Sequence, residues 1–201
     1  MMGIASRHSY LERAAYRSLG LNTVLRSLQD DRKYHILDLG QPLGVNVEFW
    51  SQFRCRLYIE DFYRSYRAKA ASESEVSTDA IFAELLRFSE ETRFDIILAW
   101  DLFNYLNPEE SEMLIRQLSR WCRPGTLLFA LISSLPLIPA EPIIFRILDS
   151  ERMIYETRTH ETQPCPRYYP RDIAKFMGRF EVSSSFLLRH GIQEYVFAYR
   201  A

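Results

Sequence analysis

The chain has 201 residues, of which 47% are apolar and 25% charged, and its formal net charge is −1. That length suits one domain with a sizeable core, and the near-neutral charge gives no global electrostatic case for nucleic acid or an anionic membrane surface. The three cysteines, Cys55, Cys122 and Cys165, lie far apart and match neither a disulfide framework nor a zinc site, so a reducing, cytoplasmic setting is expected. Lysine occurs only at 33, 69 and 175; the arginines are scattered and read mainly as solvated surface. The four histidines, His8, His35, His160 and His190, show no metal spacing. The N-terminal "MMGIASRHSYLER" lacks an apolar core of signal-peptide length. The uncharged stretch 125–140 is too short to span a bilayer and is interrupted by Pro136 and Pro139.

In chain order, "SYLE" at 9–12 has capping-box spacing, and Leu11, Ala14, Ala15, Ser18 and Leu19 continue at helical spacing. A helix is therefore expected to end at Gly20, with Asn22 capping a second one that reaches Leu28. "YHILDLG" reads as a fully buried strand, "VNVEFWSQF" as a short helix with Val45, Phe49 and Phe53 on one side, and "CRLYIED" as a second strand ending in acids. "SESEVSTD" at 72–79 is an exposed loop, "AIFAELLRF" at 80–88 a helix, and "RFDIILAW" at 93–100 a buried strand. The clearest helix follows Asn107, with Pro108 in its first turn, Glu109 and Glu110 at the positive dipole end, and Leu114, Leu118, Trp121 and Cys122 as its buried stripe. Pro124 and Gly125 stop it.

"TLLFALIS" is another buried strand, followed by a proline-rich connection over 135–142. "RMIYETRTHE" is expected to be extended, and 170–177 to be a short helix ending at Gly178. "FEVSSSFLLRH" and "IQEYVFAYR", separated at His190 and Gly191, form a terminal hairpin. Alternating strands and helices imply right-handed crossovers and a mostly parallel sheet covered on both faces. The expected architecture is thus α/β, doubly wound and Rossmann-like, ending in an antiparallel hairpin. It forms a single domain over 1–201, with an N-terminal helical cap at 1–33 and the α/β core at 34–201.

The first strand turns into a helix through Asp38, Leu39, Gly40, Gln41, Pro42, Leu43 and Gly44. With the terminal hairpin, this stretch resembles the class I S-adenosylmethionine-dependent methyltransferases over roughly 34–200. That family has a seven-stranded sheet and a loop of the form acid-x-Gly-x-Gly-x-Gly, of which the acid and two glycines are present. The resemblance implies that Asp38, Gly40, Gln41 and Gly44 wrap the methionine part of S-adenosylmethionine, with the glycines free to take positive φ. It also implies that Glu60, or Asp61 beside it, holds the ribose hydroxyls. "FDIILAWDLFNYLNPEE" is the most family-like segment. It carries Asp95, Trp100, Asp101, Asn104 and Tyr105, and places Trp100 and Asp101 where α/β folds put ligands. Trp100 could face a sulfonium or simply pack in the core. Asp101 or Tyr105 could orient or deprotonate an acceptor.

Against this stand Pro42 in the loop, the weak signal for a third strand between 62 and 93, and the lack of an acid at that strand's end. Two readings follow. One is methyl transfer from S-adenosylmethionine to an O or N of a small-molecule acceptor. The other is a degenerate, non-catalytic member serving as a scaffold or partner subunit. A dinucleotide-binding oxidoreductase fits the glycines poorly. The aromatic "PCPRYYP" at 164–170 could line a substrate pocket, but reads rather as a rigid loop packed on the sheet.

Overall fold

The computed structural model describes residues 12–29, 31–73, 75–188 and 191–200. Its main sheet contains β2 (Tyr34–Asp38), β3 (Cys55–Ile59), β4 (Ile96–Trp100), β5 (Leu127–Ser133), β10 (Phe180–Leu187) and β11 (Ile192–Tyr199), in the order β10-β11-β5-β4-β2-β3. The β3-β2-β4-β5 portion is parallel, and β11 and β10 close it as an antiparallel pair. The doubly wound expectation and the terminal hairpin are therefore met; His190 lies outside the described residues. Among the described residues the sheet has six strands, where the resemblance implied seven. The chain after β3 enters two helices, α3 (Phe62–Ser72) and α4 (Thr78–Leu85), and returns directly to β4.

Helices cover both faces. On one, α3, α4, α5 (Pro108–Ser119) and α6 (Pro170–Phe176) bury Phe62, Phe82, Leu114 and Ile173 against Leu37, Ile97 and Leu128. On the other, α1 (Leu19–Leu25) and α2 (Gly44–Ser51) bury Leu21, Val24, Phe49 and Trp50 against Ile36, Leu98 and Phe129. Strands buried on both faces carry near-continuous apolar sequence, which is why "IILAW" and "LLFALIS" were legible. α5 has the expected capping box between Asn107 and Glu110. Among the described residues no helix is long and apolar enough to cross a membrane.

The N-terminal expectation is corrected. Residues 12–17 form strand β1 (Glu12–Arg17) rather than a helix, and Ser9 lies outside the described residues. β1 pairs antiparallel with β8 (Arg152–Thr157), which pairs with β7 (Ile144–Ile147), making a separate three-stranded sheet. The backbone partners of β1 lie far along the chain, so local helical spacing could not reveal them. The helix begins instead at Ser18, whose hydroxyl accepts the Leu21 N–H at 3.1 Å, a normal N-cap bond. Asn22 is inside the helix, and its side chain donates to the Ser150 carbonyl. β8 agrees with the expected extended segment. A short pair, β6 (Leu137–Pro139) with β9 (Thr162–Pro164), completes the inserted region.

Gly20 does not stop a helix; it lets α1 approach the sheet. A Cβ there would lie 2.7 Å from Phe129 Cε2 and 3.1 Å from Glu194 Oε2, and both residues are fully buried. Gly20→Ala should lower stability by about 1–3 kcal/mol, opposite in sign to the usual gain from glycine-to-alanine in a helix. Urea unfolding should show a lower midpoint at unchanged slope; an unchanged or raised midpoint would refute the close approach.

Candidate functional site

β2 and β4 are parallel neighbours, and their carboxyl ends deliver Asp38 and Trp100 to one point. Asp38 is 2% exposed. Its Oδ1 accepts the Trp100 indole N–H at 2.6 Å and the Gly40 N–H at 2.9 Å. A Cβ on Gly40 would stand 2.7 Å from Trp100 Cδ1 and 2.8 Å from Nε1. The missing side chain of Gly40 thus makes room for the indole. Neither Gly40 nor Gly44 has positive φ, so the conformational freedom expected of them is not used.

Trp100 takes the unusual backbone conformation instead, with φ of 51°. For a bulky residue this left-handed geometry costs on the order of 1–3 kcal/mol. It coincides with a register shift between Leu98 and Trp100 in the β4–β5 pairing. The twist turns the ring inward, where it stacks on Phe145 with centroids 5.5 Å apart and planes 6° from parallel. Phe129 packs nearly perpendicular to it, with centroids 5.9 Å apart.

Phe145 belongs to a strap, 141–147, that lies across the strand ends and is fastened at successive points. The Tyr105 hydroxyl donates to the Glu141 carbonyl at 2.8 Å, and the Ile143 N–H donates to Asp101 Oδ2 at 2.9 Å. The Asn46 side chain donates to the Phe145 carbonyl and accepts the Ile147 N–H, both at 2.9 Å. Strap backbone is thereby satisfied without a neighbouring strand on that side. Between the strap, Leu39, Gln41, Asp61 and Tyr63, a cavity of about 30 Å³ remains, room enough for ordered water.

Burial dominates the electrostatics. It pushes the Asp38 carboxyl up from 3.8 to about 6, against the opposing hydrogen bonds from Trp100 and Gly40. It pushes Asp101 to about 7 despite the Ile143 N–H. The Tyr105 phenol is raised well above its ordinary value, first by burial and then by the nearby Asp101 charge. Asp101 and Tyr105, the sequence candidates for handling an acceptor's proton, are both committed to the strap.

The other candidates are spread more widely. Gln41 and Asp61 line the residual cavity. Glu60 joins the strand ladder through its N–H to the Asp38 carbonyl, and its side chain is not among the cavity's walls. Gly44 is exposed at the start of α2, with open space where a Cβ would stand. Asp95 lies at the opposite end of β4, bonded to the His35 N–H and paired with Arg123 and Arg32. Asn104 bridges the Leu131 carbonyl and the Ser133 N–H, holding β5. "PCPRYYP" is a packed loop in which Tyr168 donates to the Leu106 carbonyl and rests on Phe176. Asn46 and Phe145 were not singled out in the sequence. The only local hint of Asn46 is a polar residue between the valines of "GVNVEFW".

No protein-family model matches the sequence, and no curated protein matches it. Solved structures do. An S-adenosylmethionine-dependent methyltransferase from Clostridium acetobutylicum superposes with a TM-score of 0.52 at 12% identity, over 90% of this chain and 92% of that one. The PH0226 protein from Pyrococcus horikoshii gives 0.53 at 13%, over 90% and 88%. A SAM-dependent methyltransferase from Methanosarcina mazei gives 0.51 at 12%, over 89% and 97%. The chain has the fold of the class I methyltransferases, in a divergent form.

The residues at the strand ends do not fit S-adenosylmethionine. Small-molecule sites span roughly 300–1,000 Å³, far above the space left here. The Asp38 oxygen that faces the loop is taken by Trp100, and the same ring stands on the Cβ side of Gly40.

Because Asp38 holds its proton more tightly folded than unfolded, the native state carries the extra proton from pH 3.8 up to about 6. Stability therefore falls as pH rises through that window. Asp38→Asn keeps Oδ1 as acceptor for both N–H groups and removes the charge. Relative to the parent, the variant should gain on the order of 3 kcal/mol between about pH 4 and pH 8, read by urea unfolding. A pH-independent difference would refute the burial of an ionised carboxylate there.

Proposed function

We propose that this chain is a non-catalytic methyltransferase-fold protein that acts through its surface, as a scaffold or partner subunit. One observation carries the reading: the Trp100 indole lies between Gly40 and Asp38, where the resemblance would put the cofactor's methionine end. The fastenings of the strap support it. Asp101, Tyr105 and Asn46 each spend polar atoms on holding the strap over the cleft.

The test is a thermal melt with millimolar S-adenosylmethionine and S-adenosylhomocysteine, on the parent and on the Trp100→Ala/Phe145→Ala variant. A ligand at 100 times its Kd adds about 2.7 kcal/mol, and for this chain length each kcal/mol moves Tm by about 2–4 °C. No shift is expected for the parent. A shift confined to the variant would mark the cleft as a site now filled by the chain's own rings. A clear shift for the parent would overturn the reading. It would restore methyl transfer to an O or N of a small-molecule acceptor, with Trp100 and Phe145 swinging out together.

A further inference from the structure

The two edges of the main sheet are treated differently. At β10 the pairing with β11 shifts register between Val182 and Ser184, and the strand carries Ser183, Ser184 and Ser185. Bulges and polar residues are common ways to blunt an edge. At β3 there is no register shift, no proline and no lysine.

Which backbone groups are free there follows from the ladder. The Tyr34 N–H bonds the Arg54 carbonyl, and the Glu60 N–H bonds the Asp38 carbonyl. The even-numbered residues of β3 therefore face β2. The odd-numbered Leu57 and Ile59 turn their N–H and C=O outward. Among the described residues nothing bonds them. Ile59 is 36% exposed, and Arg56 is exposed beside it.

The sequence across this edge is "RCRLYIED", basic at its start and acidic at its end. Such a segment is complementary in charge to its own reverse. Antiparallel pairing about a dyad at Tyr58 sets Leu57 opposite Ile59 of the second copy, matching outward groups to outward groups. On the face shared with Tyr58, the same register sets Arg56 opposite Glu60 of the second copy. Opposite charges directly across a strand pair stabilise it, and like charges destabilise it. Arg56 is already held on this face, over the Tyr58 ring at 5.0 Å.

We propose that β3 is the interface of a twofold-symmetric homodimer, in which two copies join edge to edge into one continuous sheet through Leu57, Ile59 and the Arg56–Glu60 pairs. A twofold dyad makes every contact occur twice, so each charge pair counts double. The inference stands on the edge strand and holds whether or not the cleft takes a ligand.

Sedimentation equilibrium across the micromolar range, with hydrogen exchange of the Leu57 and Ile59 amides, tests it. The parent should be dimeric, and both amides should exchange more slowly as concentration rises. Arg56→Glu sets acid against acid, and Glu60→Arg sets base against base. Each should raise the dimer dissociation constant by about tenfold or more. An equimolar mixture of the two variants should recover parent-like dimerisation, because each then meets the opposite charge. A monomeric parent would overturn the proposal. So would a dimer indifferent to both reversals, a mixture no better than either variant, or protection confined to other residues.

Discussion

The hydrogen bond from the Trp100 indole to Asp38 sets the terms for the rest of the cleft. A carboxylate at the buried end of a parallel strand must find donors, because leaving it unpaired costs more than any single bond returns. Here one donor is the Gly40 backbone and the other is a side chain from the neighbouring strand. For the indole to reach, Trp100 must turn inward, and the last residue of β4 adopts left-handed φ and slips the β4–β5 register. The ring then presents a flat apolar face, and Phe145 covers it. The hydrogen bond, the left-handed turn and the ring stack thus all meet at Trp100.

The strap shows how residue types suited to catalysis can serve closure. A strap laid over strand ends has no neighbouring strand to take its backbone groups at the cleft. Asp101, Asn46 and Tyr105 supply those partners from below, at 2.8–2.9 Å. Asp101 and Tyr105 are the residues that an active methyltransferase reading would assign to an acceptor. Their raised proton affinities follow from the same burial that makes the strap tight. Perturbed titration near a strand end is a clue to function in many folds, but the same burial arises wherever a cleft is packed shut.

The sheet's two edges extend this logic outward. A parallel core buried on both faces needs an ending on each side. The chain provides a bulged antiparallel hairpin on one side and a plain five-residue strand on the other. With β3 at the sheet's edge, outward N–H and C=O groups stand at Leu57 and Ile59. The cleft is packed by the chain's own rings, while the β3 edge keeps backbone groups that no other described residue bonds.

Much of the fold was legible from the amino-acid order, because it rests on local signals. The apolar runs "ILDL", "IILAW" and "LLFALIS" declare doubly buried strands. Asn107, Pro108 and Glu110 declare a helix start, and the terminal alternation declares a hairpin. The presence of Asp38, Gly40 and Trp100 in the family-like segments was equally visible. What they do with one another was not. That Gly40 admits an indole rather than a ligand depends on the approach of β4 to β2. That Ala14 and Tyr16 lie in a strand depends on β8, far along the chain. That Asn46 and Phe145 belong to the cleft depends on how an inserted segment folds back over α2. Sequence by itself determined the elements and their α/β order, since periodicity, caps and turns act within a few residues. Only the tertiary structure decided whether the cleft is open, since that turns on which distant side chain fills the space beside a buried carboxylate.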